Sequence, residues 1–268
     1  MTPRIMLVAV MTLLLQACAT TPSGRSQVML VDDRQMSDLG AQAFNQLRSE
    51  GKVSGNSRQQ QYVRCIAESL IAELPDPWRG LSWEVEVFND DTPNAFALPG
   101  GKVGVNTGMF KVAQDADQLA AVVGHELAHV MYRHGAERFS QQILAQTGLT
   151  VAAVAANAKA PENSQLILGA LGAGAQIGVL LPFSRKHETE ADLEGQQLMA
   201  RAGFDPAAAV TLWQRMQQAA GSAASPTWMS THPNPQGRIN QLRNALPQTQ
   251  AVFAQARAQG RSPSCRLQ

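Results

Sequence analysis

Charge of one sign is what this chain lacks most. Its 22 Lys and Arg residues meet 21 Asp and Glu, leaving a formal net charge of +1. With no basic stripe either, nucleic acid is excluded as a partner. Aromatic residues are scarce at 5%, whereas Ala, Gly and Gln are abundant, a balance that favours helices. Cysteine is nearly missing. Cys65 and Cys265 have no close Cys or His neighbour, which argues against a zinc role for either. No repeat of fixed period is present. With 268 residues and 44% hydrophobic content, the chain can still bury a core as one compact domain.

The first residues read as a leader rather than as fold. Arg4 supplies a positive start, residues 5–15 an apolar run, and Leu15-Gln16-Ala17-Cys18 follows. That is the pattern of a secretory signal peptide over residues 1–17, and its end resembles a bacterial lipobox. The resemblance implies cleavage before Cys18 and a lipid on that cysteine. Ala19 in place of an Asp implies sorting to the outer membrane, giving a periplasmic protein anchored to the bilayer without spanning it. An ordinary signal peptide cut nearby is the alternative. Residues 18–36 read as a polar tether and 37–268 as a single domain. In an oxidising periplasm the two remaining thiols, Cys65 and Cys265, suggest one disulfide; two free cysteines are the other reading.

Periodicity predicts helices over 37–74, split near 51–56. Alternation predicts a strand at 83–87, and two further short strands fall at 94–98 and 102–106. Pro99-Gly100-Gly101 joins the last two as a tight turn. Residues 139–158 and 163–184 carry almost no charge and must be weighed as membrane spans. Gln141, Gln142, Gln146, Asn157, Gln165 and Gln176 interrupt them, which favours buried helices or a flap over a cleft. Asp205 and Pro206 open a further helix, and 238–246 and 251–259 read as two shorter ones. The fold class is α+β, mostly helical, with a small sheet beside the cleft.

The decisive motif is His125-Glu126-Leu127-Ala128-His129. Four residues advance a helix by about 400°, so both imidazoles leave the same side one turn apart. They can reach one zinc ion, with Glu126 beside the water it activates. Asp115, with Gln118 reaching back, caps the helix. A third ligand is needed. On a continuing helix His134 lies about 140° round from His129 and faces elsewhere. Glu188, on a helix capped by Ser184, is the better candidate, and Asp192 shares its face. Asp192 would accept the outer N–H of a ligand histidine, His125 foremost, fixing its tautomer. Glu190 and Glu194 read as surface residues, and His187 has no assigned part.

HELAH followed by Glu188-Thr189-Glu190-Ala191-Asp192 resembles the gluzincin family that contains bacterial HtpX and the CAAX prenyl endopeptidases. Asn94-Ala95-Phe96-Ala97-Leu98-Pro99-Gly100-Gly101 resembles that family's strand and turn before the active-site helix. Thr231-His232-Pro233, with Arg238 after it, resembles its late His-Pro element. Together these cover residues 37–246, and the lipobox puts the chain nearer a periplasmic lipoprotein-type branch. The resemblance implies one Zn²⁺ on His125, His129 and Glu188, with Glu126 as general base and His232 as oxyanion donor. Arg238 would orient His232 or hold the C-terminal helices. The edge formed by Asn94, Ala95, Phe96, Ala97 and Leu98 could take an extended peptide as an added strand. The expected activity is endopeptidase action on unfolded or misfolded envelope proteins, with envelope-assembly proteins as further partners. A chaperone-like assembly factor with a latent zinc site covered by residues 139–181 is the rival; a small-molecule metallohydrolase fits the peptide-binding edge poorly.

Overall fold

The computed structural model describes residues 18–155, 184–220, 232 and 235–267. The leader (1–17) and the apolar stretch beyond residue 155 lie outside the described residues, as do Thr231 and Pro233. Strands β1 (Cys18–Thr20) and β2 (Ser26–Val28) form an antiparallel hairpin. Helices α1 (Asp33–Ser49) and α2 (Ser57–Ile71) follow, then strands β3 (Glu84–Phe88), β4 (Ala95–Leu98) and β5 (Lys102–Asn106). The remaining helices are α3 (Ala116–Met131), α4 (His134–Ala155), α5 (Arg185–Arg201), α6 (Ala207–Ala220) and α7 (Pro235–Ala258). The expected mostly helical α+β architecture is what the chain adopts.

Local chemistry accounts for the helix ends. Asp32 and Gln35 form a reciprocal capping box on α1. Asp115 accepts from the Gln118 N–H at 2.7 Å to cap α3. The Gln118 side chain reaches one residue further back than expected, to the Gln114 N–H. Ser184 accepts from the His187 N–H on α5, and Asp205 from the Ala207 N–H on α6. Gly100 and Gly101 both take positive φ in the β4–β5 turn, where a side chain would be strained.

The sheet order is β3-β5-β4, with β3 parallel and β4 antiparallel to the central strand. Strand β4 is therefore an edge, and among the described residues no strand pairs with its outer side. The main core runs between α2, the sheet, α3, α5 and α6, with Leu119, Val123, Leu127, Leu198 and Met199 fully buried. Cys65 of α2 is bonded to Cys265, tying the C-terminal tail to an early helix over 200 residues of sequence.

Two segments differ from expectation. The supposed tether folds as the β1–β2 hairpin and the first turns of α1. Thr21 and Gln27 are buried in it, and the Leu30 N–H bonds to Ser140 on α4. Short polar strands carry little periodic signal, and their burial depends on a distant helix. The two short C-terminal helices are one, with Pro247 inside α7. Packing against α5 and α6 outweighs a proline cost of about 3 kcal/mol. The described part of the apolar stretch starts buried, with Phe139 and Ser140 inside. Among the described residues no helix is long and apolar enough to cross a membrane.

Helices α3 and α5 make the tightest helix crossing. Gly124 and Gly195 face each other there, and a Cβ added at Gly195 would stand 2.8 Å from the His125 backbone nitrogen. Gly195→Ala is therefore expected to push α5 off α3 and cost about 1–3 kcal/mol, read as a lower denaturation midpoint. A midpoint equal to wild type would show that the crossing has slack.

Candidate metal centre

The α3–α5 crossing assembles the centre. His125 and His129 leave α3 one turn apart with their Nε2 atoms 3.0 Å from each other. Glu188, at the start of α5, sets Oε1 3.5 Å from His129 Nε2 and Oε2 3.7 Å from His125 Nε2. Asp192, one turn along α5, has Oδ1 3.0 Å from His125 Nδ1. All four side chains are buried. The three donors predicted as ligands thus converge, with Asp192 on the outer nitrogen of His125 as the spacing suggested.

His232 stands among the donors. Its Nδ1 is 3.0 Å from Glu188 Oε1 and 3.2 Å from His125 Nε2, inside the donor cluster. His125, His129, Glu188 and His232 therefore form a four-donor group able to hold a metal ion. The opposite ring nitrogen of His232 is 3.6 Å from Glu126 Oε1. No helical spacing could have placed it, because His232 belongs to neither of the two crossing helices.

Arg238, left between two parts in the sequence, plays both and more. From α7 its Nε and Nη2 each donate to Asp192 at 2.6 Å, and its Nη1 pairs with Glu188 Oε2 at 2.5 Å. Nη1 also reaches the His232 carbonyl, and the guanidinium lies over Trp213 at 3.5 Å. One cation thus fixes both α5 carboxylates and the backbone carrying His232. Burial pushes the Glu188 carboxyl up, but the Arg238 charge and His232 outweigh it and leave it at about 2. Burial also pushes the Asp192 carboxyl up, but the same arginine, with His125, outweighs it and holds it below the usual carboxylate range.

A second set of buried groups behind His129 escaped the sequence. Helix α3 stops at Met131, Arg133 takes a left-handed φ of 57°, and α4 starts in a new direction at His134. The turn brings His134 back to His129, with their Nδ1 atoms 2.9 Å apart. Extrapolating one continuous helix had sent it to the far side. His134 Nε2 meets Glu190 Oε2 at 3.0 Å, so Glu190 is a half-buried partner of the histidine and not a solvated surface acid. His187 stacks on His134 at 4.4 Å and pairs with Glu137 at 3.1 Å. Burial lowers His129 well below the ordinary imidazole value and His134 to about 4.

Beside His129 lies a cavity of about 340 Å³, bounded by Leu39 of α1, Ala97 and Leu98 of β4, and Arg138 and Phe139 of α4. Of the five residues expected along the peptide-binding edge, Ala97 and Leu98 border it. Ala95 is buried in the main core, Phe96 packs on Gly104 and Phe88, and Asn94 precedes the strand. Arg138, a cation lowered to about 10 by burial, is a cleft residue the sequence did not single out.

A helix carrying HExxH, crossed by another that brings a glutamate to its two histidines, is the working arrangement of a metalloprotease. Comparison with known proteins agrees. The chain belongs to peptidase family M48, whose model matches residues 57–246. It is 42% identical over 190 residues to the mitochondrial metalloendopeptidase OMA1 of Schizosaccharomyces pombe, covering 70% of this chain and 53% of that protein. It is 32% identical to OMA1 of Danio rerio over 84% of this chain and 49% of that one. To the beta-barrel assembly-enhancing protease of Escherichia coli K12 it is 29% identical, over 87% and 48%. The chain spans about half the length of the curated relatives it matches.

The buried groups set a pH dependence for the metal-free protein. His134 titrates near 4 when folded and near 6.5 otherwise, so the unfolded chain binds more protons between those values. Stability should be fullest above about 6.5 and fall as pH drops towards 4. Glu137 and Glu188, both held at about 2, add a second loss below about 4.5. A melting temperature that stays flat from pH 7 to 4 in chelator-treated protein would contradict these environments.

Proposed function

We propose that this protein is a zinc-dependent endopeptidase of the bacterial envelope, anchored to the outer membrane by a lipid on Cys18, that cleaves unfolded or misassembled envelope proteins. The observation that carries the proposal is the convergence of His125, His129 and Glu188 beside Glu126. Zinc bonds of about 2.0–2.2 Å in a tetrahedron put donor atoms roughly 3.3–3.5 Å apart. The donors here are separated by 3.0, 3.5 and 3.7 Å, and two imidazoles with one carboxylate suit that ion. The relatives named as metalloendopeptidases support the activity; the one named for β-barrel assembly supports the envelope, as does the lipobox.

Bound zinc would activate a water and polarise the substrate carbonyl. Glu126 accepts the proton that water gives up and returns it to the leaving amine. An extended peptide lies along the free edge of β4, held by main-chain hydrogen bonds that ask little of its sequence. Asp192 and Arg238 hold the His125 ring and the Glu188 carboxylate in place. His232 must withdraw before water can enter, since a catalytic site keeps one position open. Once clear, its ring can donate to the oxyanion developing on the substrate.

That position of His232 also favours the second reading, a chaperone-like assembly factor whose zinc site is latent. Digestion of an unfolded envelope protein with and without chelator separates the two, because a pure binder gives no chelator-sensitive cleavage.

Glu126→Gln should keep its zinc and lower cleavage at least ~100-fold; cleavage at the wild-type rate would remove Glu126 as the base. Glu188→Ala should lose stoichiometric zinc by elemental analysis. Full occupancy in that variant would take Glu188 out of the ligand set.

A further inference from the structure

The hairpin that replaces the supposed tether carries one residue no catalytic argument has used. Arg25 leaves the start of β2 and inserts its guanidinium between α4 and α5. Nη1 and Nη2 donate to the two oxygens of Glu137 at 2.7 and 2.8 Å. Nε and Nη2 donate to Glu190 at 3.1 and 2.9 Å. Two-pronged arginine–carboxylate pairs are among the stronger and more directional polar contacts. Here one arginine makes two of them with side chains that are nearly buried.

Both carboxylates continue inward. Glu137 holds His187, whose ring stacks on His134, and Glu190 holds His134 directly. A carboxylate can only accept, so the His134 proton sits on Nε2, facing Glu190. Its Nδ1 then carries a lone pair and accepts from His129 Nδ1–H across 2.9 Å. That leaves the lone pair of His129 Nε2 directed at the Glu188 and His125 donors. The order of protons is set from the hairpin inwards.

We infer that Arg25 is a positioning residue for the metal: through Glu190 and His134 it fixes the tautomer and ring angle of His129, making the N-terminal hairpin part of the metal centre's support. The inference rests on the proposed zinc site. It adds a line of contacts on His129 matching the one that Asp192 supplies to His125.

Zinc affinity of the full chain, by competition with a chromophoric chelator, tests it. Groups that orient a ligand histidine typically contribute about 10–100-fold in affinity, so Arg25→Gln should weaken zinc by that factor. His134→Gln should do the same. The double variant should be no weaker than His134→Gln alone, within about twofold, since the arginine acts through that ring. If Arg25→Gln fails to fold by circular dichroism, Arg25→Lys serves instead. It keeps the charge but cannot grip two carboxylates by two prongs each, and its affinity should fall between wild type and His134→Gln.

Wild-type affinity in the folded Arg25 variant overturns the inference. So does a double variant that loses the full product of both factors, because Arg25 would then act on something other than His134. Failure of the wild-type chain itself to take up zinc would instead sink the proposed function, and is read in the same titration.

Discussion

The closeness of α3 to α5 is the constraint on which the rest depends. Glu188 and Asp192 can meet His125 and His129 only because Gly124 and Gly195 let two backbones touch where any side chain would hold them apart. Burying two carboxylates and two imidazoles in that seam carries a desolvation cost of several kcal/mol per uncompensated ion. Arg238 offsets it on one side, donating to Glu188 and Asp192 while its guanidinium lies over the Trp213 ring. The C-terminal helix is therefore as much a part of the centre as the helix bearing the motif.

The centre is a chain of oriented groups more than a set of ligands. Each imidazole on α3 has its inner nitrogen among the donors and its outer one on a partner: Asp192 for His125, His134 for His129. Asp192 is held in turn by Arg238 from the C-terminal side, and His134 by Glu190, which Arg25 grips from the N-terminal side. This doubling explains how these charged and polar groups can sit in the interior, since each one has a partner of suitable chemistry.

The cleft and the edge strand give the chemistry its direction. Among the described residues strand β4 pairs on one side only, and its Ala97 and Leu98 line the cavity beside His129. A substrate that adds as a strand is recognised mainly through its backbone, and a folded protein hides its backbone.

What could be read from residues alone was whatever depends on near neighbours along the chain. The one-turn spacing of His125 and His129, the shared face of Glu188 and Asp192, the caps at Asp115, Ser184 and Asp205, and the glycine turn after β4 all follow from helical and turn periodicity, which is local. Tertiary structure alone decided the return of His134, because a single left-handed residue at Arg133 reset the helix direction on which extrapolation relied. It alone decided that Glu190 meets His134, that Arg25 bridges two helices, and that His232 stands among the donors. These depend on which surfaces meet, and contact between segments 44 to 165 residues apart leaves no period in the sequence to be read.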